Sequence, residues 1–212
     1  MSVGWPGGLY AIVDAQYVPL DRMADVAGQL VAAGARIVQV RAKGVTSRAL
    51  LAAVRAVRQA VAAHDAWVVV DDRLDVALLA GATGVHLGQQ DLPVAVARRI
   101  APPPFRIGLS VHDDAQLEAA GALPVDYVAV GPVFPTHSKA RPDPVVGLDG
   151  LRRLVRRSRR PVVAIGGIDA RRIGAVRSTG AAAAAVIGAL YAAGDPGRAA
   201  ARLVAAWHGE DV

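Results

Sequence analysis

Eight short runs rich in valine and isoleucine recur along the chain, and each is a nearly continuous apolar run rather than a strict alternation with polar residues. They lie at Leu9–Val13, Ile37–Val40, Trp67–Val70, Gly84–Leu87, Arg106–Leu109, Tyr127–Val130, Val162–Ile165 and Ala183–Ile187. A strand that is apolar at every position is buried on both faces, which is the habit of parallel sheets. Parallel strands need long crossovers. Segments with helical spacing supply them, at Asp21–Ala33, Ser47–Ala63, Val94–Ile100, Ala115–Ala120, Leu148–Arg157, Ala170–Ser178 and Gly197–Trp207, with a further short helix after Asp72. Glycines at 34, 81 and 180 end helices just before the next strand. This alternation within 212 residues predicts an α/β fold, a single-domain (β/α)8 TIM barrel spanning 1–212. It is compact beside the about 250 residues typical of that fold. A doubly wound open sheet is the alternative arrangement of the same units. Pro102-Pro103-Pro104 reads as a rigid turn, and the irregular stretch Gly131–Gly147 is long enough to be a binding loop.

Composition narrows the function. Hydrophobic residues make up 53%, enough for a large core, yet no run approaches the about 18 unbroken apolar residues of a membrane span. Cysteine is absent, which excludes disulfides, thiolate metal sites and cysteine nucleophiles. The residues Met1–Gly4 lack a basic stretch followed by an apolar one. A cytoplasmic chain with no membrane partner is the expectation. The net charge of +6 suits phosphorylated small molecules, nucleic acid or a membrane surface. Much of the excess sits in Arg152, Arg153, Arg156, Arg157, Arg159 and Arg160, with no aromatic residue interleaved. That pattern predicts a solvated helix face and no nucleic-acid partner. A homo-oligomer is compatible with the sequence.

In a barrel of this kind, active sites form at the C-terminal ends of the strands. The polar residues at those ends therefore belong together: Gln39, Arg41, Lys43; Asp71, Asp72, Arg73; His86, Gln89, Asp91; Ser110, His112; and Thr136, His137, Ser138, Lys139. Asp72 and Asp91 fall on neighbouring loops. Paired carboxylates suit Mg²⁺, which takes one or two of them and completes its shell with phosphate and water. The alternative is two helix N-caps, since Asp72 opens a helix and Asp91 stands before Pro93. Gly166-Gly167 and Ile187-Gly188 follow the last two strands, where barrels of this kind commonly bind phosphate. Tight turns are the other reading. Arg41, Lys43 and Lys139 could counter a diphosphate. His86 reads as a hydrogen-bonded core histidine. Ser110 lacks the surroundings of a nucleophile and reads as a hydrogen-bond donor.

Several segments occur in a telling order: Gln39-Val40-Arg41-Ala42-Lys43, Asp71-Asp72-Arg73, Gly84 to Pro93, Gly108 to His112, Val130 to Lys139, and Ala164 to Ile168. The set resembles the thiamine phosphate synthase family from about Leu9 to Asp195. The resemblance implies a (β/α)8 barrel that joins 4-amino-2-methyl-5-hydroxymethylpyrimidine diphosphate to a thiazole phosphate, with or without its carboxylate. Thiamine phosphate and pyrophosphate are the implied products. It implies Asp72 and Asp91 as Mg²⁺ ligands. It gives Gln39, Arg41, Lys43, Asp71, Ser110 and Lys139 to the pyrimidine diphosphate, with Lys43, Ser110 and Lys139 closest to the chemistry. Thr136, Ser138, Gly167, Ile187 and Gly188 would hold the thiazole phosphate.

Two positions depart from the family pattern. Asp71 stands where asparagine is usual, which sets an extra carboxylate beside a diphosphate. Gly188 stands where serine is common, which removes a hydroxyl but keeps the backbone N–H. A related thiazole tautomerase, with His112 as acid–base, is the nearest rival. The Asp72–Asp91 pair with Gln39 and Lys43 favours the synthase, because a thiazole isomerase has no diphosphate to hold. A non-catalytic phosphate-binding barrel is the third reading.

Overall fold

The computed structural model describes residues 5–136 and 144–210. The strands are β1 (Gly8–Asp14), β2 (Ile37–Arg41), β3 (Trp67–Asp71), β4 (Gly84–Leu87), β5 (Arg106–Val111), β6 (Tyr127–Val130), β7 (Val162–Ile165) and β8 (Ala183–Val186). Each pairs in parallel with the next, and β8 closes onto β1, so the open-sheet alternative falls. The helices are α1 (Met23–Ala32), α2 (Ser47–Ala60), α3 (Leu74–Ala80), α4 (Val94–Ile100), α5 (Asp114–Gly121), α6 (Gly147–Arg157), α7 (Ile173–Arg177), α8 (Gly188–Tyr191) and α9 (Pro196–His208). Among the described residues no helix is long and apolar enough to cross a membrane.

Strand periodicity explains the continuous apolar runs. In β1, Leu9, Ala11 and Val13 pack outward under the helices, while Tyr10 and Ile12 point into the barrel. The same parity puts Val38, Val40, Val68, Val70, Val85 and Leu87 in the outer core. Ile37, Trp67, Val69, Tyr127 and Ala129 fill the interior. Both faces are therefore buried, as the sequence predicts.

Local chemistry sets the helix ends. Thr46 caps α2 by accepting from Ala49 N, Asp113 caps α5 through Gln116 N, and Asp195 caps α9 through Arg198 N. The helix expected from Asp21 begins instead as a 3-10 turn at Leu20–Arg22. The helix expected at Ala170–Ser178 is shorter, and α8 replaces what reads in sequence as a turn. A four-residue helix carries too little periodic signal to register.

The arginine-rich α6 pairs outward: Arg152 with Asp149, and Arg153 and Arg157 with Asp114. These are exposed pairs of small energetic weight.

Candidate active site

A cavity of about 420 Å³ opens at the C-terminal end of the barrel. Gln39, Arg41, Asp71, His86, Ser110, His112 and Thr136 line it, together with Gly166, Gly167, Ile187 and Gly188. Lys43, Asp72 and Asp91 stand at its rim rather than on its wall, tied to it through Asp71. His137, Ser138 and Lys139 lie outside the described residues.

Strand register brings the first group together. Asp71 pairs across to His86, and Asp14 to Arg41, so the polar ends of neighbouring strands arrive together. Asp14, at the end of β1, is 1% exposed and accepts from Arg41 Nη1 at 2.5 Å. Arg41 Nε lies 3.4 Å from Asp71 Oδ2, and Lys43 Nζ lies 3.3 Å from the same oxygen while bonding to Asp72. Asp91 Oδ2 accepts from Gly88 N at 2.7 Å. Neither Asp72 nor Asp91 caps a helix: the N-cap positions of α3 and α4 are Arg73 and Pro93, and neither helix has a side-chain cap. Asp72 is the one non-glycine residue with positive φ, 58°, among the described residues. Strained backbone of this kind collects at functional sites.

Electrostatics make this cluster unusual. Burial pushes the Asp71 carboxyl up to about 6, and the Asp72 charge adds to that, while Lys43 and Arg41 pull back. Burial also raises Asp91, with the neighbouring Asp72 adding to it and the Gly88 N–H opposing. Burial lowers the Lys43 ammonium, but the Asp72 and Asp71 carboxylates outweigh it and hold it above its ordinary value. Asp14, Asp71, Asp72 and Asp91 face two cations, Arg41 and Lys43. Fully ionised, those described groups leave two uncompensated negative charges, which is the demand a divalent cation meets. No cluster of three or more His, Cys, Asp or Glu ligands occurs among the described residues. A hard cation that keeps most of its shell for water and phosphate needs no more than a pair.

The opposite end is built from backbone. Gly166 and Gly167 have φ of 101° and 64°. A Cβ on Gly166 would lie 2.6 Å from Pro132 Cα, and one on Gly167 2.5 Å from Pro135 O. Glycine is thus required for the turn itself, and it also leaves backbone bare at the cavity wall. Helix α8 starts at Gly188 beside it, where the first N–H groups have no intrahelical acceptor. Tyr17, stacked on Tyr191 at 4.9 Å, closes this side.

Some predicted rim residues serve other ends. Arg73 turns away to Asp75 and Ser47, and Gln89 Nε2 donates to Ser110 O at 2.6 Å. His112 donates from Nδ1 to Gly131 O at 2.7 Å. Sequence reasoning missed Asp14, Tyr10, Tyr127 and Tyr17. Asp14 was findable, because the rule applied to the other strand ends applies to the first as well. The tyrosines give no sequence signal beyond their inward parity.

The fold defines the class: a closed (β/α)8 barrel with its cavity at the strand C-termini, where barrels of this kind carry their active sites. The thiamine monophosphate synthase family profile matches residues 9–190. The chain is 43% identical over 195 residues to the thiamine-phosphate synthase of Albidiferax ferrireducens, covering 92% of this chain and 89% of that one. It is 45% identical over 201 residues to the thiamine-phosphate synthase of Anaeromyxobacter dehalogenans, covering 95% and 88%. The solved thiamine phosphate pyrophosphorylase from Pyrococcus furiosus superposes with a TM-score of 0.88 at 36% identity, covering 97% of each chain. The chain belongs to the thiamine phosphate synthase family, the transferases that make thiamine phosphate in thiamine biosynthesis.

Proposed function

We propose that the reaction is the Mg²⁺-dependent joining of 4-amino-2-methyl-5-hydroxymethylpyrimidine diphosphate to thiazole phosphate, with release of pyrophosphate. One observation carries this reading: a single cavity has two unlike polar ends, one suited to a diphosphate together with a divalent cation and the other to a phosphate. Cations and carboxylates crowd the β2–β4 side, and bare glycine backbone lines the β7–β8 side. Two phosphorylated substrates fit two such ends.

Arg41 and Lys43 bind the diphosphate oxygens, and Asp14 holds the Arg41 guanidinium in place. Asp72 and Asp91 would hold Mg²⁺, which supplies charge neutralisation for the diphosphate when bound. Gly167 with the Ile187–Gly188 backbone receives the thiazole phosphate, helped by Thr136. Gln39 and Ser110 grip the pyrimidine ring between the two ends. In the reaction the methylene C–O bond breaks, and its electron pair leaves with pyrophosphate. The aminopyrimidine spreads the positive charge left on the methylene carbon, and the thiazole nitrogen forms the new C–N bond. The chain's part is to orient the two substrates and stabilise the departing charge, for which no protein nucleophile is needed. Ser138 and Lys139 are assigned here by resemblance alone.

The test is product formation by the purified protein from both substrates, with Mg²⁺ or with excess EDTA, read as fluorescent thiochrome. Multiple turnovers that EDTA abolishes are expected. Turnover unaffected by EDTA refutes the metal assignment. Absence of product from a folded protein refutes the reaction and turns attention to His112.

A further inference from the structure

Beneath the two phosphate-facing ends, a continuous line of polar side chains from five different strands runs under the cavity, which its members Gln39, His86 and Ser110 line. Gln39 Nε2 donates to Tyr10 OH at 3.1 Å, and Tyr10 OH lies 3.1 Å from Tyr127 OH. Tyr127 OH lies 3.1 Å from His86 Nδ1, and His86 Nε2 lies 3.0 Å from Ser110 Oγ. Tyr10, Tyr127 and Gln39 are buried. Gly108 makes the line possible, since a Cβ there would fall 2.1 Å from Tyr127 Cζ.

We propose that this line is a one-way relay in which Tyr10, Tyr127 and His86 are positioning residues, fixing Gln39 as the acceptor and Ser110 as the donor that select an aminopyrimidine ring over an oxopyrimidine. The proposal rests on the pyrimidine site described above and names what makes that site selective.

The direction follows from proton counting. Nitrogen of the Gln39 amide can only donate, so the Tyr10 oxygen accepts from it and the Tyr10 proton must go to Tyr127. The Tyr127 proton must then go to His86 Nδ1. That makes His86 the Nε2–H tautomer, and its N–H goes to Ser110 Oγ. The Ser110 hydroxyl proton is left for the cavity. Sending a proton from His86 Nδ1 to Tyr127 instead would strand one phenolic proton without an acceptor among the described residues. Burial holds both phenols protonated, above their ordinary range, so each has a proton to place. A buried donor left without a partner is costly.

At the far end, Gln39 Oε1 has no partner among the described residues. The one buried, partnerless side-chain polar atom there is Trp5 Nε1. The Gln39 oxygen is therefore open to the cavity that the residue lines. The ring that fits offers an N–H to Gln39 and a bare ring nitrogen to Ser110. An aminopyrimidine has both. Its 4-oxo counterpart has a carbonyl in place of the amino group and a proton on a ring nitrogen, so the Gln39 oxygen and the Ser110 hydroxyl each meet it with the wrong polarity.

The first test is the ¹⁵N NMR signature of His86 in the ligand-free native protein, assigned with a His86→Gln variant. An Nε2–H tautomer is expected, and an Nδ1–H tautomer or an imidazolium overturns the relay. The second test is calorimetric binding of the pyrimidine diphosphate and of its 4-oxo analogue to the native protein and to Tyr127→Phe. The variant should lose about tenfold of the preference for the amino ring, while the affinity for thiazole phosphate stays unchanged. A variant that loses stability yet keeps the full preference shows a merely structural tyrosine and overturns the proposal. Should the variant fail to fold, the native tautomer decides. Neither measurement needs turnover, so a wrong relay in an active synthase, and a correct relay in a chain that makes no thiamine phosphate, remain distinct results.

Discussion

The two ends of the cavity solve the same problem by opposite means. On the β2–β4 side, charge is met by charge: Arg41 and Lys43 are already engaged by Asp14, Asp71 and Asp72 before any substrate arrives. On the β7–β8 side glycines expose backbone in turns where a side chain would collide, and the charged groups described there, Asp169 and Arg172, are engaged with each other and with Gly167 O. The first end is adjustable, since its carboxylates can trade partners when a metal and a diphosphate enter. The second is rigid, since its geometry is set by the close approach of the Pro132–Pro135 segment. A leaving group that gains charge during reaction belongs at the first end, and a phosphate that serves as a handle belongs at the second.

The sharpest way to break that contrast is at the carboxylates. Asp72→Ala or Asp91→Ala should reduce Mg²⁺-dependent turnover by about two to three orders of magnitude. Circular dichroism should be unchanged, because neither side chain caps a helix. Near-normal turnover in both variants would remove the metal from this end. Next comes Gly167→Ala, which forces a Cβ to within 2.5 Å of Pro135 O at a φ of 64°. A loss of about 1–2 kcal/mol in stability is expected, with a KM for thiazole phosphate raised about tenfold and little change in the KM for the pyrimidine substrate. Equal rises in both would mean that the ends are not separate.

Asp71→Asn should act the other way, lowering the KM for the pyrimidine diphosphate a few-fold by removing a negative charge, about 1 kcal/mol or less. The same variant changes stability with pH. The folded Asp71 carboxyl titrates near 6 against 3.8 when exposed. The folded state therefore holds the proton more tightly, and its contribution, full below 3.8, is lost as pH rises through about 6. Denaturant titrations in EDTA should show the native protein losing on the order of 2–3 kcal/mol across that window, with a flatter profile in Asp71→Asn. A native profile that rises there would contradict the buried, carboxylate-flanked setting. The smallest effect is expected at Arg156→Ala on exposed α6, within about 0.5 kcal/mol in stability and without change in turnover. A large loss of activity there would reveal a role for the arginine face.

Much of this was legible beforehand because strand ends in a barrel share one rim. Gln39, Arg41, Asp71, Ser110 and Gly167 lie in or just after apolar runs, and each reaches the cavity. Asp72 and Asp91 also read as helix caps from the local sequence, and the uncapped starts of α3 and α4 removed that reading. Arg73 and Gln89 sit at the right places in sequence, yet nearby partners draw their side chains elsewhere.

The sequence by itself determined the barrel. Continuous apolar strands separated by amphipathic helices can bury both strand faces in few other ways, and the ordered motifs carried the family. Tertiary structure decided what depends on distance between strands remote in the chain. Tyr10 and Tyr127 are 117 residues apart, and no local pattern reports that their hydroxyls meet. The shifted carboxyl of Asp71 is likewise a sum over neighbours from β2 and the Asp72 turn, taken where water is excluded. Periodicity is a local property and survives in the sequence, whereas the polarity of a buried network exists only once the strands have closed around it.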